Sequence, residues 1–172
     1  DGIMSDDELW RVPPMRHVEV AQALLARVRE EPFALVAANF PGPDMLGHLV
    51  ERHFGACVAT LNALETVLVG LVRGLHALGY VVILTSDHGN VENFGPDHGT
   101  NPVLTTVTAP PGFALAPVDG QAGPAALYDI PHTILALWDA RERVTRDLVW
   151  PPAVDAATFR ALGRPLVTRE EA

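Results

Sequence analysis

The chain contains no lysine: all twelve positive charges among its 172 residues are arginines. That absence removes a phosphate-loop lysine, a Schiff-base enzyme and a lysine general base before any motif is read. Serine is almost as scarce, standing only at Ser5 and Ser86. A serine nucleophile carried by this chain therefore has two places to sit. The single cysteine, Cys57, allows no internal disulfide and no thiolate zinc cluster. No uninterrupted apolar run reaches the ~20 residues that span a bilayer, and the N-terminus lacks a basic-then-apolar signal pattern. These absences lead to the expectation of a soluble, cytoplasmic protein.

What is present supports a packed core. Hydrophobic residues make up 48% and charged residues 19%, a balance typical of one globular domain of this length. The formal charge is −9. Nucleic acid and anionic membrane are bound mainly by neutralising phosphates, so neither is an expected partner. A small phosphorylated substrate stays open, because a bound divalent cation reverses the local sign. No feature of the residues fixes an oligomeric state.

The acidic stretch over residues 1–14 has no period and reads as an extended lead-in. From His17 to Arg29 the residues Ala21, Leu24, Leu25 and Val28 keep helical spacing, and Pro32 stops the pattern. Phe33 to Ala38 is a continuous apolar run of strand length, expected as a strand covered on both faces. A long helix follows from Phe54 to Leu78, with Val58, Leu61, Leu64, Leu68, Leu71, Val72, Leu75 and Leu78 as its apolar stripe. Glu65 falls at the edge of that stripe, and Gly79 suits the position just past the helix end. Val81 to Thr85 reads as a second buried strand and Pro102 to Thr108 as a third. Asp129-Ile130-Pro131 reads as a cap with proline in the first turn of a helix to Trp138. A short helix is expected at Asp155–Leu162, within a C-terminal extension over 139–172.

Strand, helix and strand over 33–38, 54–78 and 81–85 form an expected right-handed βαβ crossover with parallel strands. The C-terminal ends of such strands share one sheet edge, where open α/β folds place their sites. That topology gathers Asp44 and His48 with Asp87 and His88, while His98 follows ten residues later. Asp44 and His48 are four apart and share one face if the loop opens a helix. Carboxylate and imidazole together suit Mn²⁺, Zn²⁺ or Fe²⁺. Taken singly, Asp44 and His48 also fit a cap or a surface pair; their joint placement with Asp87, His88 and His98 favours a metal. Elsewhere Cys57 reads as a small core residue. His17, His53 and His76 read as surface positions, His132 as a capping-turn residue, and Arg52 as part of a solvated helix face. Asn90 and Glu92 stand beside the ligand set as residues that would support it.

Four segments carry a family resemblance. Asn39-Phe40-Pro41-Gly42-Pro43-Asp44-Met45-Leu46-Gly47-His48 resembles the N-x-x-x-P-D-M-x-G-H segment of the cofactor-independent phosphoglycerate mutases, metalloenzymes of the alkaline phosphatase superfamily. Thr85-Ser86-Asp87-His88-Gly89-Asn90-Val91-Glu92 is similar to the family's T-A-D-H-G-N-x-E, with Ser86 in place of alanine. His98-Gly99-Thr100-Asn101-Pro102-Val103 is similar to H-T-x-N-P-V, with Gly99 in place of threonine. Leu127 to Leu135 is similar to the later L-x-D-I-x-x-T-I-L helix start.

The resemblance implies a three-layer α/β/α sandwich with a mainly parallel sheet, alkaline-phosphatase-like and incomplete in this chain. It implies two divalent metal ions, Mn or Zn. Asp44, His48 and His98 would hold one, and Asp87 and His88 the other. It further implies phosphoryl transfer on a small phosphorylated substrate, with the metals stabilising attacking and leaving oxygens. In the family an upstream aspartate and serine complete the second site; neither Ser5 nor Ser86 matches that nucleophile, and Asp1-Gly2 has no strand before it. The expectation is one metal bound well, the second poorly, and little turnover by the chain alone. A phosphatase or phosphodiesterase of the same superfamily, or a non-catalytic metal-binding fragment, are the competing expectations.

Overall fold

The structure is a computed structural model that describes residues 16–95, 97–115, 126–138 and 165–169. The lead-in expected over 1–14 and the short helix expected at Asp155–Leu162 lie outside the described residues. The described residues form an α/β arrangement in two compact units. One takes in residues up to 80 and 86–104; the other takes in 81–85 and the residues from 105 onward.

Three helices build the first unit among the described residues. Helix α1 spans His17–Glu30 and buries His17, Ala21 and Val28 along one stripe. Helix α2 is one short turn over Gly42–Gly47, with Pro41 as its N-cap and proline in its first positions, where a missing N–H costs nothing. Helix α3 spans Val50–Ala77, kinked at His53, whose φ of −134° and ψ of 39° are not helical, and it buries Val50, Cys57, Thr60, Leu64, Leu71 and Leu75. Its buried stripe keeps the expected Leu64, Leu71 and Leu75, whereas Val58, Leu61 and Leu78 are exposed. Glu65 is exposed, as its place at the stripe's edge requires. By length and composition α3 could cross a membrane; here α1 and α2 both pack against it.

The end of α3 is set by Gly79. Its φ of 84° lies in the left-handed region, which glycine enters without a Cβ clash. The Gly79 N–H donates to His76 O at 2.9 Å and the Tyr80 N–H to Leu75 O at 3.0 Å. This double bond pattern is a Schellman cap, and it satisfies two carbonyls the helix leaves open.

The tightest packing lies where α2 meets the start of α3. Leu46, Val50 and Cys57 are each no more than 1% exposed, and Val91 packs against them from a 3₁₀ turn over Val91–Asn93. Each such aliphatic side chain contributes about 1.5–3 kcal/mol when taken out of water. The Cys57 thiol donates to Leu46 O at 3.1 Å, so its polar atom is satisfied inside this core. Cys57 is thus the core residue its helical position suggested.

Two expectations for this unit change. His17 is not on the surface; it is fully buried, with both ring nitrogens lacking a hydrogen-bond partner among the described residues. Its ring lies edge-on to Phe40 with centroids 5.7 Å apart. Position explains this: His17 stands four residues before Ala21, on the stripe that α1 turns inward. Residues 33–38 form no strand. An apolar run specifies burial, but a strand also needs a hydrogen-bonded neighbour, and no described residue supplies a ladder there.

The second unit contains two antiparallel ladders. Strand β1 (Val82–Leu84) pairs with β2 (Thr106–Thr108) through Val82↔Thr108, Ile83↔Val107 and Leu84↔Thr106. Strand β3 (Phe113–Leu115) pairs with β4 (Val167–Arg169). Parallel strands were expected at 33–38 and 81–85; no parallel pair occurs among the described residues, where β1 has β2 as its ladder partner. Strands β1 and β2 follow one another in the chain, and a connection that returns between them permits an antiparallel ladder, whereas a parallel pair needs a crossover. Helix α4 spans Asp129–Leu137. Asp129 is its first residue rather than its cap, and its Oδ2 accepts from the Ala126 N–H at 2.8 Å. His132 is fully buried within α4 and not in a capping turn. The Thr133 hydroxyl donates to Asp129 O and accepts from the Leu166 N–H, both at 2.8 Å.

Burial holds the His17 pKa below its ordinary value of 6.5, because desolvation disfavours the imidazolium. The unfolded chain then binds that proton first as pH falls. Stability is therefore lost from about pH 6.5 downward, and the loss levels off below the depressed folded value. Urea midpoints measured from pH 8 to pH 5 should fall more steeply for the wild-type chain than for His17→Leu. Parallel profiles in the two proteins would show that His17 does not titrate with folding.

Candidate metal centre

Local geometry brings the motif residues together one pair at a time. Asp44 sits in the first turn of α2 and His48 is the C-cap of that helix, its N–H bonded to Asp44 O at 3.3 Å. The four-residue spacing thus places both side chains on one face, with His48 Nε2 3.6 Å from Asp44 Oδ1. The loop after β1 supplies the other half. Gly99 N–H donates to Gly89 O at 2.6 Å, closing an antiparallel bridge between these glycines. Phe94 turns the chain inside that loop with a φ of 51°, a left-handed conformation that non-glycine residues adopt at a cost of about 1–2 kcal/mol. Phe94 also stacks on Phe54 of α3 at 5.3 Å between centroids.

The bridge sets His98 beside His88, with rings stacked at 3.6 Å, and carries His98 to α2. His98 Nε2 lies 3.3 Å from Asp44 Oδ1 and 3.3 Å from His48 Nε2. Asp44, His48 and His98 therefore present three ligand atoms at the corners of a triangle with edges of 3.3–3.6 Å. A tetrahedral ion with ligands at ~2.0–2.1 Å separates them by about 3.3–3.4 Å. The triangle fits such an ion. Hydrogen atoms alone fit it less well, because each ring nitrogen carries at most one proton and two protons serve only two of the three edges. A cation at the centre would be offered all three lone pairs at once.

His88 belongs to the same cluster: one ligand atom each from Asp44, His88 and His98 lies within 4.8 Å of the others. Asp87 stands at the rim. Its side chain is 86% exposed, and its Oδ1 lies 3.5 Å from His88 Nε2. The structure thus brings Asp44, His48, His88 and His98 together and attaches Asp87 through His88. Arg52 is exposed on the first turn of α3.

A polar network braces the loop. The Asn90 N–H donates to Glu92 Oε2 at 3.2 Å. The Asn101 carboxamide donates to Glu92 Oε1 at 3.4 Å and to Asn93 Oδ1 at 3.0 Å. The Glu92 carboxyl is held below the usual carboxylate range, first by its own backbone N–H and against some desolvation, then by Asn90 N–H and Asn101. Asn101 stands in the segment similar to H-T-x-N-P-V, where the residues alone assigned it no role, and Asn93 drew no attention at all.

A depressed carboxylate contributes stability above its unfolded value and loses it as pH falls through the lower folded value. The Asn90 backbone amide resonance should therefore titrate with a midpoint below the ordinary glutamate value of 4.5, and Glu92→Gln should abolish that titration. A midpoint at or above 4.5 would mean that the Glu92 carboxylate does not hold this amide.

Comparison with known proteins places this geometry. The metalloenzyme superfamily profile matches residues 9–138. A 2,3-bisphosphoglycerate-independent phosphoglycerate mutase of Cyanothece is 32% identical over 162 residues, covering 84% of this chain and 29% of that protein. Its counterpart in Haloquadratum walsbyi is 31% identical over 131 residues, covering 73% and 25%. That of Thermosynechococcus vestitus is 34% identical over 141 residues, covering 74% and 25%. The chain spans between a quarter and a third of the length of these curated relatives. The matched stretch contains every residue of the Asp44–His98 cluster, and the chain belongs to the metalloenzyme superfamily.

Proposed function

We propose that this chain carries the metal-binding part of a phosphoryl-transfer site acting on a small phosphorylated substrate. Asp44, His48 and His98 hold one divalent cation, Mn²⁺ or Zn²⁺, and Asp87 and His88 contribute to a second. The triangle of Asp44 Oδ1, His48 Nε2 and His98 Nε2 is the observation that carries this reading. The His88 position supports the second ion, since paired catalytic metals lie ~3.5–4 Å apart and their ligands are neighbours. As fold, we propose the three-layer α/β/α sandwich with a mainly parallel sheet, and as setting the cytoplasm. The names of the relatives point to a phosphoglycerate as substrate.

A bound cation would supply the positive centre that draws phosphoryl oxygens and offsets charge in an in-line displacement. The chain's own residues set how much of that charge survives. One carboxylate and two neutral imidazoles leave a divalent ion with one net positive charge. Asp87 and His88 do the same for the second ion. This is how a chain of net charge −9 attracts an anion: the field is reversed only where imidazoles replace carboxylates. Ser86 is exposed next to Asp87, and the reading gives it no catalytic role.

Calorimetric titration with Mn²⁺ or Zn²⁺ should show binding that Asp44→Ala and His98→Ala each weaken by about 100-fold or more, as removal of a direct ligand exceeds the 10–100-fold seen for supporting partners. Unchanged metal content in Asp44→Ala would remove the site. 3-Phosphoglycerate should bind the metal-loaded chain and not the metal-free one. Equal binding in both states would refute the substrate class. Isomerised phosphoglycerate would identify a mutase, and released inorganic phosphate a phosphatase.

A further inference from the structure

We propose that Asn90 is the positioning residue that aims the Asp44 carboxylate at the imidazole pair, with Gly47 providing the clearance that lets it do so. This rests on the reading of Asp44 as a metal ligand and deepens it. Asp44 needs such a partner: its side chain is 41% exposed and rides on a helix of only six residues, so its own helix does little to fix the direction of the carboxylate.

The Asn90 carboxamide holds Asp44 at two points. Its Nδ2 donates to the Asp44 carbonyl oxygen at 3.1 Å and to the Asp44 carboxylate oxygen Oδ1. One residue thus fixes both the backbone and the side chain of Asp44. The grip takes one lone pair of Oδ1 and leaves the other for the space between His48 and His98. The orientation of the amide follows from its neighbours, since turning it over would set its own oxygen against two oxygens of Asp44.

Asn90 is itself well fixed. It is 7% exposed, and its Oδ1 is buried without a hydrogen-bond partner among the described residues. That oxygen lies against Gly47, where a Cβ would overlap the Asn90 carboxamide. The next residue, Val91, packs on Leu46, Val50 and Cys57, while the Asn90 N–H is held by Glu92. A buried carbonyl oxygen with no partner is destabilising, because it has given up water and gained nothing in return. The structure tolerates that cost at the residue whose donor end grips Asp44, the pattern expected where position matters more than stability.

Co²⁺ serves as the probe, since its visible absorption reports both affinity and ligand geometry. Asn90→Ala should raise the Co²⁺ dissociation constant 10–100-fold, the range for partners that orient a ligand, and alter the visible band. In a double-mutant cycle, removing Asn90 from an Asp44→Ala chain should change affinity by less than about twofold, because Asn90 acts through Asp44. Gly47→Ala, which displaces the carboxamide without removing it, should give the same loss and reads the cycle if Asn90→Ala does not fold. Affinity within twofold of wild type in Asn90→Ala, or full additivity with Asp44→Ala, overturns the positioning role. Wild-type protein that binds no Co²⁺ overturns the metal site itself, a different failure.

Discussion

Three atoms rich in lone pairs, held within 3.6 Å of one another, are the constraint on which the first unit depends. Asp44 Oδ1, His48 Nε2 and His98 Nε2 have no reason to converge for their own sake, and the chain around them supplies the convergence. Leu46, Val50 and Cys57 bury the short helix from beneath. The Gly89–Gly99 bridge returns His98 to it from the other side. Dry packing and a polar brace meet at one segment: Val91, half-buried, packs against the core, while its neighbours Asn90 and Glu92 are in the network that lines the cluster. Apolar burial here sets the position of charge, and the same three-residue turn serves both ends.

Local patterns were legible in the sequence wherever one element decides its own structure. The 3–4 spacing over 17–29 and 54–78 marked two helices; the structure runs the first to Glu30 and, past the kink at His53, carries the second unbroken from Phe54 to Ala77. Gly79 marked the helix stop because only local bonds form a Schellman cap. Asp44 and His48 could be placed on one face by counting. Pairing between distant segments was not legible. The run Phe33 to Ala38 announces that it wants burial, but nothing in it names a neighbour, and the strands β1 and β2 pair antiparallel instead.

His17 shows a different limit. Its residue type suggested the surface, while its place on the stripe with Ala21 and Val28 suggested the interior, and the stripe prevailed. A face fixed by several apolar residues outweighs the preference of one. Asn90 shows the converse. Its motif drew attention to it, yet what it does depends on a carboxylate 46 residues earlier and on the missing side chain of Gly47. Such relations are properties of the folded chain.

The glycine bridge also bears on the order in which the cluster assembles. Closing the loop from Gly89 to Gly99 joins residues ten apart, whereas bringing His98 to Asp44 joins residues 54 apart. Chain entropy charges the longer closure about 1.5 kcal/mol more. The histidine pair His88 and His98 is therefore the cheaper half to form, and it can meet the α2 carboxylate as a prefolded hairpin rather than as two free residues. Folding entropy favours a route in which the imidazoles find each other before either finds Asp44.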